Sequence, residues 1–193
     1  MSVSLVKGQR ISLKKKDGES LTQVMMGLGW DAKKQGGFFG FGAREQDIDL
    51  DASCVLFDNN NRLVDAVWYR QLRSKDGSII HTGDNRTGAG EGDDEQIIVD
   101  LTRVPPDVKS LVFVVNSFTG QNFGQIENTF CRLVDKKSNR EIARYNLREQ
   151  SNHTAQIMAK IYRHKGQWKM HAIGQSASGR TFHDLEPAMK AHL

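Results

Sequence analysis

The chain has 193 residues, of which 38% are hydrophobic and 26% charged, the proportions of one soluble domain with its own core. No stretch approaches the roughly eighteen apolar residues of a membrane-crossing helix, and the opening MSVSLVKGQRISLKKK lacks the apolar segment of a signal peptide, so a cytoplasmic protein is expected. The net charge of +4 hides a division: residues 45–51 and 82–95 carry −4 each, which leaves +12 on the rest of the chain.

Val3, Leu5, Ile11 and Leu13 stand at odd positions among mostly polar neighbours, with Lys7-Gly8 between the pairs. This is strand alternation around a turn. VMMGLGW (24–30) is an apolar run broken by glycines and reads as a buried strand. DLDASCVLFD (49–58) reads as a strand ending in the turn NNNR. LVDAVWYRQL (63–72) follows and leads to the turn KDG (75–77), and QIIVDL (96–101) is a further strand. KSLVFVVNSF (109–118) is almost continuously apolar, as a strand buried on both faces would be.

NTFCRLVD (128–135) and REIARYNL (140–147) flank KKSN as a hairpin. In residues 155–174 the turn His164-Lys165-Gly166, and the alternation of Trp168, Met170 and Ala172 after it, favour a second hairpin over a helix. TFHDLEPAMKAHL (181–193) is the helix candidate, opening near Thr181 and interrupted at Pro187. About ten short strands with turn signals between them favour an all-β sandwich or barrel. One domain over 1–193 is expected. Cys54 and Cys131 sit in apolar strand segments and read as buried free thiols. Trp30, Trp68 and Trp168 read as core. His81, His153, His164, His171, His183 and His192 show no metal spacing and read as surface residues. Lys14–Lys16 read as a solvated turn.

The acidic segments oppose the basic trend of the chain. In QDIDLDA (46–52) the carboxylates fall at Asp47, Asp49 and Asp51, and on a strand alternate residues share a face. Ile48, Leu50 and Cys54 then line the buried face. Like charges in a row destabilise a strand unless a cation neutralises them. The second segment, TGDNRTGAGEGDDE (82–95), adds Asp84, Asn85, Thr87, Glu91, Asp93, Asp94 and Glu95 on a glycine-rich loop. The donors are hard oxygens, with no His or Cys inside either segment; His81 is nearest. Zinc and copper prefer nitrogen and sulfur, magnesium demands strict octahedra, and calcium takes six to eight oxygens in flexible geometry, so Ca²⁺, as one or two ions, ranks first. Two bland alternatives stand beside this one: a solvated strand edge at 47–51 and a merely flexible acidic loop at 82–95. Asp31, after Trp30, is either a further ligand or a turn cap.

GLGWDA (27–32), DIDLDAS (47–53), TGDNRTG (82–88), GDDE (92–95), FVVNSF (113–118), EIARYNL (141–147) and YRHKGQWKMHAIG (162–174) occur in this order. Together they resemble the TerD family of tellurium-resistance proteins over nearly the whole chain. The resemblance implies a two-sheet β-sandwich that binds calcium through the two acidic segments; the reading of the residues adds short helices, including a C-terminal one, and Asp31 as a further candidate ligand. It also implies a cytoplasmic bacterial stress-response protein tied to tellurite and phage resistance. Such a protein would be a scaffold or sensor rather than an enzyme, acting with other tellurite-resistance proteins near the inner membrane. The loop departs from the family's TGEGDGDDE: Ala89 removes a carboxylate and Glu91 stands where Asp is usual.

Two other function classes stand as alternatives. One is a metal-dependent hydrolase or phosphotransferase, although no nucleophile–base pair or phosphate loop is evident. The other is a binder of nucleic acid or anionic lipid through the +12 body, with no sequence-specific nucleic acid expected. GGFFGFG (36–42) places Phe38, Phe39 and Phe41 between glycines, a pattern unsuited to a core strand. It reads as a contact loop for a partner or membrane, with padding of one end of the sandwich as the alternative.

Overall fold

The computed structural model describes residues 2–15, 17–32, 50–83, 92–146 and 152–193. Their strands form two six-stranded sheets. The first runs β1 (Val3–Ser4), β10 (Arg140–Asn146), β9 (Ile126–Asp135), β3 (Gln23–Ala32), β7 (Glu95–Asp100), β6 (Ile79–His81). The second runs β2 (Arg10–Ser12), β12 (Gln167–Ala177), β11 (Ala155–His164), β8 (Val108–Ser117), β4 (Leu50–Asp58), β5 (Leu63–Val67). β1 joins β10 in parallel, and the other neighbours within each sheet pair antiparallel. The expected all-β two-sheet sandwich is the architecture found.

The strand pleat builds the core. Val24, Met26, Leu28 and Trp30 of β3 face Leu50, Ala52, Cys54 and Leu56 of β4 and Leu111, Phe113 and Val115 of β8 in one buried cluster. A second cluster lies on the other face of the second sheet. There Val55, Phe57, Val112, Val114, Ile157 and Ile173 are covered by Phe182, Leu185 and Met189 of the C-terminal segment. Strands β4 and β8 are therefore buried on both faces, which is why KSLVFVVNSF is continuously apolar. Cys54 and Cys131 are buried free thiols. Burial pushes the Cys131 thiol up to about 12, and Cys54 is raised for the same reason.

The expected hairpins form. β11 and β12 turn at Lys165 and Gly166, both at positive φ (49° and 72°). β9 and β10 turn around Asp135, whose carboxylate accepts from Lys137 N and Ser138 Oγ. Other expectations need correction. The strand expected over 63–72 ends at Val67: Trp68 and Gln71 exchange both backbone hydrogen bonds across Tyr69-Arg70, a tight turn that apolar content concealed. β6, three residues long, is too short to show alternation.

Helix α1 (Glu186–Lys190) is shorter than expected, and Pro187 lies in its first turn rather than interrupting it. A proline is tolerated there because that N–H has no intrahelical partner. His81, His153 and His171 are buried rather than on the surface, and Trp68 and Trp168 are only partly buried at the margins of the two clusters. Among the described residues no helix is long and apolar enough to cross a membrane.

Candidate functional site

The described parts of the acidic segments, Asp51 and residues 92–95, are held against β3 and β4, and the first device that holds residues 92–95 there is a pair of glycines. Gly27 and Gly29 alternate with the core-facing residues of β3, so they lie on its outward face. A Cβ at Gly27 would fall 2.3 Å from the Asp93 carboxyl carbon, and one at Gly29 would fall 2.4 Å from the Phe130 ring and 2.8 Å from the Gly92 carbonyl oxygen. The chain arriving from Gly92 therefore crosses directly over β3, and Asp94 N donates to Leu28 O at 2.8 Å.

Asp93 lies in that groove with its side chain fully buried. Arg132 of β9 grips it bidentately, with Nε to Oδ1 at 2.6 Å and Nη2 to Oδ2 at 2.9 Å. Arg132 also approaches Glu141 at 3.6 Å, which in turn holds Arg144, and the Arg144 guanidinium stacks 4.1 Å above Phe130. Sequence reading did not single out Arg132. Its signal is weak: one cation inside the apolar segment TFCRLVD, with its partner 39 positions earlier.

Asp94 accepts from Trp30 N at 2.8 Å through Oδ2. Burial holds its carboxyl above the usual value; the Trp30 N–H opposes this, and the charges of Asp31 and Asp93 add to it. Asp31 is exposed at the end of β3, where the β3–β9 register shifts. Asn128, in the β9 bulge at that shift and at φ 52°, donates from Nδ2 to Asp31 Oδ2 at 2.7 Å.

Glu95 follows the inward parity of Ile97 and Val99 and is 1% exposed. Its Oε2 accepts from Ala52 N at 2.6 Å, which ties β7 of one sheet to β4 of the other. That N–H lies beyond the point where β5 stops pairing with β4, so the carboxylate satisfies a backbone group the ladder leaves open. His81 Nε2 lies 3.3 Å from the same oxygen. Gly83 N donates to His81 Nδ1, which leaves Nε2 as the ring N–H.

Asp51, next to Ala52, is 5% exposed. The face it shares with Ser53, Val55 and Phe57 is buried, not the open acidic face expected, because β4 is an interior strand beneath the C-terminal segment. The structure thus brings Asp31, Asp51, Asp93, Asp94 and Glu95 to linked positions. Asp47, Asp49, Asp84, Asn85, Thr87 and Glu91 lie outside the described residues, as do Phe38, Phe39 and Phe41.

Among the described residues no three His, Cys, Asp or Glu side chains converge as a metal-holding group. Asp93 and Glu95 are already committed, one to Arg132 and the other to Ala52 N. Asp31 and Asp94 fit an oxygen-bound cation: they are neighbouring carboxylates, and Asp94 is held above its usual pKa, which an adjacent cation would reverse.

The TerD domain family model matches residues 1–185. Tellurium resistance protein TerZ of Serratia marcescens is 47% identical over 185 residues, covering 95% of this chain and 94% of that protein. General stress protein 16U of Bacillus subtilis (strain 168) is 42% identical over 187 residues, covering 93% of each. A solved structure described as a homologue of telluride resistance protein (TerD), from Streptomyces coelicolor A3(2), superposes with a TM-score of 0.69. At 21% identity, over 89% of this chain and 98% of that one, it shares the fold.

Proposed function

The chain belongs to the TerD family, and from that membership and the acidic end of the sandwich we propose that it is a calcium-binding, non-enzymatic sensor or scaffold of the stress response. The relatives' names, tellurium resistance and general stress, support the stress-response role itself. The observation that carries the calcium reading is a linkage between stretches of chain. Two hydrogen bonds, Trp30 N to Asp94 and Ala52 N to Glu95, tie together the three stretches of chain that bear Asp31, Asp51 and Asp93–Glu95. Asp31 and Asp94 would hold the ion, together with Asp51 and donors from Asp47, Asp49, Asp84, Asn85, Thr87 and Glu91. Asp93 and Glu95 hold the frame. The bound ion would supply neutralising charge. Calorimetry should show Ca²⁺ binding that survives competing Mg²⁺ and is lost in Asp31→Asn, Asp94→Asn. Equal affinity for both ions, or full binding by the double variant, would overturn the reading.

A pH prediction follows from Asp94. Its folded carboxyl is raised, so in the window just above its unfolded pKa the folded state holds more protons than the unfolded one. Stability without calcium should therefore fall as pH rises through that window, and calcium should restore what is lost. Asp94→Asn keeps an acceptor for Trp30 N but removes the charge. It should flatten the pH dependence and melt above the parent in chelator at neutral pH. A calcium-free melting curve with identical pH dependence in both proteins would show that Asp94 carries no such penalty.

We place the protein in the cytoplasm, working with other tellurite-resistance proteins at the inner membrane face. A pull-down with and without Ca²⁺ tests this, with Phe38, Phe39 and Phe41 changed to Ser as the arm that probes the contact loop. Calcium-independent recovery of the same partners by both proteins would remove the ion and the loop from that role.

A further inference from the structure

The second sheet carries a charged row far from the acidic end in chain position and opposite to it in sign. Arg10 of β2 is the cross-strand partner of His171 in β12, and His171 is the cross-strand partner of Lys160 in β11. Directly opposed residues bring their Cβ atoms within about 4.5–5.5 Å, and like charges so placed repel. All three lie on the outer face, since Ile161, Met170, Ala172 and Ile11 on the alternate positions join the core between the sheets.

The row is also partly sealed. Lys160 and His171 are each 8% exposed. Lys160 donates to the His192 carbonyl oxygen at the end of the C-terminal segment and lies 4.8 Å from the Tyr162 ring centre. Among the described residues none of the three has an acidic partner, and the buried His171 Nδ1 has no hydrogen-bond partner at all. Buried cations are ordinarily matched by anions, because a neutral carbonyl offsets little of the cost of desolvating an ammonium. Among the described residues the charges that act on the row share its sign: Lys109 from β8, His192 from the C-terminal segment, and Lys7, which acts on His192 from the turn before β2. Burial, then Arg10, Lys160 and His192, hold His171 at about 4, so its ring is neutral at physiological pH and can present Nδ1–H without a charge.

We propose that Arg10, His171 and Lys160 form a binding site for a small oxyanion of the phosphate or sulfate type, beneath the end of the C-terminal segment. The guanidinium supplies a planar pair of donors from the open side, the ammonium a desolvated charge from within, and the imidazole a third donor between them. The site is independent of the calcium reading and lies on different residues.

Sulfate is the first probe, because its charge is constant across the useful pH range. Titrated against chloride at matched ionic strength, it should give a saturable rise in melting temperature and a calorimetric binding curve with the full chain. Arg10→Gln, at an exposed position, should weaken that binding by about tenfold, the worth of one charge-assisted hydrogen bond. Lys160→Met should abolish it and, without sulfate, should melt above the parent, since an unmatched buried charge is gone. Binding should tighten as pH falls, because the bound anion favours the protonated ring. That increment should be lost in His171→Asn and kept in His192→Gln, the other titrating group of the cluster. Inorganic phosphate is the second arm, and its ratio to sulfate identifies the preferred oxyanion. A sulfate response no greater than that of chloride would overturn the proposal. So would unchanged sulfate affinity in both Arg10→Gln and Lys160→Met.

Discussion

Arg132→Met is expected to destabilise the protein by about 3–5 kcal/mol, the usual cost of removing one partner from a buried ion pair. The reason lies with the residue left behind. The Asp93 side chain is fully buried over Gly27, and its two carboxylate oxygens are held by Arg132 at 2.6 and 2.9 Å. Without the guanidinium the carboxylate keeps, among the described residues, Gln96 Nε2 at 3.4 Å as its side-chain donor. It must then protonate or drag residues 92–94 off β3, and that movement would take the acidic site with it.

Two further variants separate the pair from simple packing. Asp93→Asn combined with Arg132→Met should recover a substantial part of the loss, because no uncompensated charge remains. Gly27→Ala attacks the same contact from below, since its new Cβ would displace the carboxylate. Its cost should be far from additive with that of Arg132→Met. Urea unfolding measures the parent, these three variants and the Gly27→Ala, Arg132→Met combination. A loss below about 1 kcal/mol for Arg132→Met, the range of exposed pairs, would mean that water already shares the contact.

The same region shows what the sequence could convey. VMMGLGW was legible as a buried strand because Val24, Met26, Leu28 and Trp30 repeat every second position. The purpose of its glycines was not legible, since what passes over Gly27 and Gly29 arrives from residues 92–93 and 130. Alternation states which face of a strand is apolar; it does not state which strand lies beside it. For this reason hairpins such as β11–β12 could be read from their turns, whereas the crossing from β1 in one sheet to β2 in the other could not.

The acidic site divides in the same way. Clustering of carboxylates is visible in one dimension, and so was the proximity of His81 to the second cluster. Their distribution into separate roles was not. Glu95 reads like any other acid of GDDE, yet its inward parity sends it to Ala52 on the opposite sheet. His81, His153 and His171 were misjudged because residue type favours the surface, where His164 and His183 do lie. His171 falls inside because its neighbours across the sheet are covered by a C-terminal segment whose docking no local pattern announces.

That docking supports the second large effect: Phe182→Ala combined with Leu185→Ala should leave the protein unfolded or nearly so at physiological temperature. The C-terminal segment supplies three buried side chains, Phe182, Leu185 and Met189, to a cluster otherwise built from the outer faces of β4, β5, β8, β11 and β12. Truncating a buried Phe costs about 3–5 kcal/mol and a buried Leu about 2–5 kcal/mol. A domain's whole margin is about 5–15 kcal/mol. Helix α1, five residues long, has little stability of its own, so it is packing that holds the segment in place. Loss of two anchors should release the segment altogether and uncover Val55, Phe57, Val112 and Val114, an apolar surface that would drive self-association.

Circular dichroism melting and light scattering should therefore change together. Lys190→Ala provides the control: it removes a partly exposed pair with Glu186 and should shift stability by less than about 1 kcal/mol. A double variant that melts like the parent and stays monomeric would show that the second sheet does not need its cover.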